Sequence, residues 1–123
     1  MGAMTYHLFL DDERVPSDVD WVALPTPPKP WVIVRSMPDF VQTIQARGLP
    51  ELISFDHDLG QTPAGKVLET GMDCAKWLVD FCLDNDLTVP PFIAHSKNGP
   101  GRDNIVGLLR ALSDHQKRQS RSP

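Results

Sequence analysis

The chain contains no apolar run near the roughly 20 residues that cross a bilayer, and no secretory leader. No membrane partner is therefore expected, and the expected location is cytoplasmic. Only two cysteines occur, Cys74 and Cys82. Eight positions apart on one expected helix, they stand about 12 Å from each other, beyond disulfide reach. They share no metal-ligand spacing with the four histidines, which assigns them to packing in a reducing compartment. Basic residues are also short: 12 against 16 acidic, for a net charge of -4. A protein that grips extended duplex nucleic acid needs a Lys/Arg face, so that class is disfavoured. A small phosphate ligand, a nucleotide or an RNA end stays open, because a metal and a few local cations can offset the acids. The G-x-x-x-x-G-K-[ST] spacing of a P-loop is missing as well.

What is present is one ordinary globular core. A length of 123 residues with 41% hydrophobic and 23% charged content fits a single domain. Met1-Gly2-Ala3 before Met4 reads as a cloning remnant, 4–116 as the domain, and 117–123 as a frayed basic, polar tail.

Four short apolar runs predict strands: His7–Leu10, Trp31–Arg35, Leu52–Phe55 and Phe92–His95. Between the first two, Pro16, Pro25, Pro27, Pro28 and Pro30 exclude a long helix and leave a loop with one helical turn near Asp18–Val22. Ser36 with Pro38 and Asp39 starts a helix that Gly48 ends; Thr70 and Asp73 start another that runs to about Asp84. Asn98–Gly101 reads as a turn before a last amphipathic helix carrying Ile105, Leu108, Leu109 and Leu112. The alternation predicts an α/β fold, an open parallel sheet of four strands with helices on both faces. Right-handed crossovers then bring all four strand ends to one rim.

That rim carries the chemistry. The first strand stops at Asp11-Asp12-Glu13 and the third at Asp56-His57-Asp58. A lone aspartate there is ordinarily a turn residue. Several from adjacent strands crowd like charge that a divalent cation would relieve, and hard cations favour oxygen ligands. Asp11, Asp12 and Asp56 are the expected ligands of Mg²⁺ or another divalent cation. His57, between two carboxylates, and His95, ending the fourth strand, form a candidate acid–base pair. The turn from Ser96 to Asn104 offers free amides at a helix start, with Ser96, Asn98, Arg102 and Asn104 as candidate phosphate contacts.

Leu8-Phe9-Leu10-Asp11-Asp12-Glu13, Ile53-Ser54-Phe55-Asp56 and Phe92-Ile93-Ala94-His95-Ser96 resemble three strands of response-regulator receiver domains. The resemblance implies a receiver (flavodoxin)-like fold with Mg²⁺ at Asp11 and Asp12, Asp56 as ligand or phosphoacceptor, and Ser96 on the phosphoryl group. Here the fifth strand and its lysine are lacking, and the first helix is replaced by the Pro-rich loop. Asp11-Asp12-Glu13-Arg14, Asp56-His57-Asp58-Leu59-Gly60 and His95-Ser96-x-Asn98-x-x-Gly101-x-x-Asn104 resemble a narrower family, the cyclic-phosphate processing receiver-like domains. That resemblance, over about Tyr6 to Leu112, implies a metal-dependent phosphoesterase acting on a cyclic phosphate of an RNA end or nucleotide. The competing expectation is a degenerate receiver, serving as a phosphoacceptor or a non-catalytic module with a protein partner. The Asp-x-Asp at 56 and 58 also resembles Toprim nucleases, but their Glu-Gly ending of the first strand is absent.

Overall fold

In the computed structural model, residues 6–24, 30–61, 63–65 and 68–120 are described. The strands are β1 (His7–Leu10), β2 (Trp31–Val34), β3 (Leu52–Phe55) and β4 (Phe92–Ala94). The helices are α1 (Met37–Arg47), α2 (Gly71–Asp84) and α3 (Gly99–Ser120), with one 3-10 turn at Pro16–Asp18. All pairings are parallel, in the order β2-β1-β3-β4. Among the described residues no strand follows β4, and no helix is long and apolar enough to cross a membrane.

Side chains alternate along each strand, so the register sorts them onto two faces. Leu8 lies beside Ile53 and Leu10 beside Phe55, and this face packs under all three helices. Phe40 and Ile44 of α1, Cys74 and Leu78 of α2, and Ile105 and Leu109 of α3 complete that core. Burying each such side chain contributes about 1.5–3 kcal/mol. The second face carries Phe9, level with Ser54. Crossover handedness explains the asymmetry: β2 to β3 and β3 to β4 step one way across the sheet, β1 to β2 the other. Helices on both faces are thus realised unequally. The three α-helices share one side, and the β1–β2 connection with its 3-10 turn serves the other.

The sequence signals at helix ends hold. Ser36 Oγ accepts the Asp39 N–H, and Thr70 and Asp73 form a reciprocal capping box. Gly48 takes φ +85°, where a side chain would be strained, and its N–H donates to the Ile44 carbonyl at 2.8 Å. Both cysteines are buried and free, their thiols pushed up to about 12 (Cys74) and about 11 (Cys82) by burial, consistent with packing.

Five expectations need correction. The second strand ends at Val34, not Arg35, and the last ends at Ala94, not His95. The helical turn in the Pro-rich segment sits at Pro16–Asp18, not near Asp18–Val22. Asn98–Gly101 is not a free turn: Asn98 Oδ1 accepts the Gly101 N–H at 3.0 Å and caps α3, whose second residue is Pro100. The frayed tail is helical through Ser120. Gln116 fastens it by accepting the Val89 N–H and donating to the Leu87 carbonyl, and Lys117 and Arg118 suit the negative helix end. The proposed remnant at 1–3, Pro25, Pro27, Pro28 and residues 121–123 lie outside the described residues.

Candidate functional site

The strand ladders continue one residue past β1, β3 and β4. Asp11 N–H donates to the Val34 carbonyl, Asp56 N–H to Leu10, and His95 N–H to Phe55, all at 2.9–3.1 Å. These bonds seat Asp11, Asp56 and His95 side by side, with side chains on the face opposite the helices. One ligand atom from each falls within 4.8 Å of the other two.

Asp11 is fully buried and heavily engaged. Its Oδ1 accepts the Glu13 and Arg14 N–H groups at 2.9 and 2.8 Å, and its Oδ2 accepts from His95 Nε2 at 3.0 Å. Burial alone would raise its pKa. The hydrogen bonds from His95 and the two amides outweigh that and hold the carboxyl well below the usual range. His95 has no exposed surface: Nδ1 pairs with Ser54 Oγ at 2.6 Å, and its ring stacks on Phe9 at 4.5 Å.

Beside this buried dyad opens a cavity of about 280 Å³. Asp12, Asp56, Asp58, Ser96 and Asn98 line it, with Glu13, Arg14, Gly60 and Lys97. Asp56 Oδ1 accepts the His57 N–H at 2.9 Å, while Oδ2 has no hydrogen-bond partner among the described residues. Burial, then the neighbouring Asp11 charge, pushes the Asp56 carboxyl up to about 6. Asp12 is raised too, by burial and by the charges of Glu13 and Asp11. Ser96 Oγ accepts the Asn98 N–H at 3.1 Å.

The His57 ring packs against the start of α3 at the margin of that wall. Its Nδ1 lies 2.9 Å from Asp58 Oδ1, and Asn98 Nδ2 reaches Asp58 Oδ2 at 3.3 Å. Hydrogen bonding to His57 holds the Asp58 carboxyl below its ordinary value. The ring abuts Gly101, where an added Cβ would stand 2.4 Å from His57 Cγ. Gly101→Ala is accordingly expected to destabilise the fold by about 1–3 kcal/mol, measured by urea unfolding. Gly71 permits another close approach, its position for a Cβ lying on the Asp56 carbonyl oxygen.

Of the expected site residues, Asp12, Asp56, Ser96 and Asn98 share the cavity wall. Asp11 and His95 lie behind it, and His57 stands at its margin through Asp58. Arg102 and Asn104 are exposed on α3 away from the wall, with Arg102 facing Asp103 at 3.6 Å. Sequence reasoning missed Ser54, the one polar residue inside an apolar strand run, which was its signal. It also missed Arg35, which donates to the Asp11 and Arg14 carbonyls and pins the loop. No local pattern marks that contact.

The family model described as the cyclic-phosphate processing Receiver domain matches residues 6–111. The chain belongs to that family. Comparisons with curated proteins and with solved structures find no match. As a cyclic-phosphate processing receiver domain, the chain keeps the parallel sheet and carboxylate rim of a receiver. Its donors also fit a divalent cation. The buried Asp56 has an oxygen at the cavity with no hydrogen-bond partner among the described residues, and its carboxyl is raised to about 6, so a neighbouring cation would favour its charged form. Asp11 and His95 each place a ligand atom within 4.8 Å of Asp56, but these atoms are already taken up by the Asp11–His95 and His95–Ser54 hydrogen bonds.

Proposed function

We propose that this chain is a divalent-cation-dependent phosphoesterase that opens a cyclic phosphate on an RNA end or nucleotide, a reaction suited to RNA repair. The observation that carries the reading is the single cavity where the Asp12 and Asp56 carboxyls share a wall with the neutral donors of Ser96 and Asn98. Mg²⁺ or another divalent cation, when bound, would neutralise the phosphate and polarise its ester.

The chain's own groups supply the rest. Asp12 and Asp56 hold the cation, while Asp11 stays tied to His95 and fixes the loop. Ser96 Oγ already accepts from Asn98, which leaves its O–H to donate to a phosphate oxygen. Ionised Asp58 only accepts, so His57 donates Nδ1–H to it and keeps Nε2 for proton transfer. Water oxygen bonds to phosphorus as its proton passes to His57 Nε2. The phosphorus–oxygen bond to one ribose oxygen breaks, and that oxygen takes the proton, leaving a phosphomonoester and a free hydroxyl.

Incubation with Mg²⁺ or Mn²⁺ and a 2′,3′-cyclic nucleotide should yield a monophosphate, with His57→Ala slower by about 100-fold or more. A panel of cyclic phosphates left intact under both metals overturns the reading. The accessible Asp56 oxygen favours phosphoacceptance as the second reading. Mass addition at Asp56 from a small phosphodonor, without cyclic-phosphate turnover, would establish it.

A further inference from the structure

Trp21 sits in the irregular connection between β1 and β2, where nothing in the reaction above requires an indole. Yet it is fixed. Its Nε1–H donates to the His95 carbonyl at 2.7 Å, which ties the ring to the end of β4 beside the cavity. Two cations rest on it: the Lys97 ammonium at 4.2 Å from the ring centroid and the Arg14 guanidinium at 5.2 Å. Both side chains belong to the cavity wall.

We propose that Trp21 is the positioning residue of a clamp in which Lys97 and Arg14 bind the oxygens of a phosphate anion. The proposal deepens the phosphoesterase reading and rests on it for the identity of the ligand. Lys97 is the informative partner. It is exposed, and acids line the same wall, yet among the described residues none pairs with it. The aromatic face holds the ammonium at the cavity without neutralising it. Arg14 is held from its other side as well, with NH1 3.4 Å from Asp11 Oδ2 and its carbonyl accepting from Arg35 at 2.6 Å. The wall is thereby divided. Asp12 and Asp56 attract a divalent cation, and the held ammonium and a planar guanidinium fork remain for the anion that the cation brings in.

Titration calorimetry with inorganic phosphate in the presence of Mn²⁺, and with Mn²⁺ alone, tests this. Trp21→Leu should weaken phosphate by about 3- to 10-fold while Mn²⁺ affinity stays within about 2-fold. Trp21→Phe keeps an aromatic face and should recover most of the loss. Lys97→Met, a surface change that the fold tolerates, should weaken phosphate comparably. The double variant should lose less than the product of the two. Wild-type phosphate affinity in both Trp21→Leu and Lys97→Met overturns the clamp. So does no phosphate binding by the wild type, or equal loss of Mn²⁺ and phosphate in Trp21→Leu, the mark of a purely structural tryptophan. Cyclic nucleotides left intact alongside the predicted phosphate pattern would remove the phosphoesterase reading and leave the clamp standing.

Discussion

His95→Ala is expected to cost about 3–5 kcal/mol of folding stability, the range for truncating a large, fully buried ring. The imidazole has no exposed surface and lies between Ser54 Oγ and Asp11 Oδ2 with Phe9 stacked on its face. Its removal takes one hydrogen bond from the buried Asp11 Oδ2, while Oδ1 keeps the Glu13 and Arg14 amides, and leaves a void against Phe9. Ser54→Ala removes one hydrogen bond and should cost nearer 1 kcal/mol. Urea unfolding of both variants gives the measurement. A His95→Ala protein as stable as wild type would refute the structural role and return this histidine to proton transfer.

Asp56→Asn should flatten the pH dependence of the cation-free protein. The Asp56 carboxyl is raised from 3.8 to about 6, so folding favours its protonated form. That contribution is full below about pH 3.8 and is lost as pH rises through about 6. The shift corresponds to roughly 3 kcal/mol at most. Asp12, also raised, acts in the same direction. Asp11 acts oppositely, but its contribution is lost only below the usual carboxylate range. With chelator present, wild-type stability should therefore fall between about pH 4 and 6.5. The asparagine variant should be flatter and more stable by about 1–3 kcal/mol at pH 7.5. Adding Mg²⁺ or Mn²⁺ should stabilise wild type, through binding to the folded state, and leave the variant unmoved. Wild-type stability that rises with pH across this window would contradict the burial assigned to Asp56.

The fold was legible where local chemistry and burial agree. The apolar runs at His7–Leu10 and Leu52–Phe55 form β1 and β3 as read, and Ser36, Gly48, Thr70 and Asp73 bound the helices they mark. Legibility failed at Asn98–Gly101, because Gly and Pro serve turns and helix starts alike, and only the Asn98 cap separates the two. It failed again at residues 117–120, where polar composition says nothing of the bonds from Gln116 to Leu87 and Val89.

The candidate site divides along the same line. By itself the sequence determined which residues reach the rim, since a strand's length and register place the residue that follows it. Only the tertiary structure decided which way each one turns. Alternation along the strand puts His95 onto Phe9 and Ser54 rather than the cavity, and the missing side chain at Gly101 draws α3 against His57. Orientation depends on packing partners 40 or more positions away, as with His57 and Gly101 or Asp11 and His95, and no local pattern encodes them.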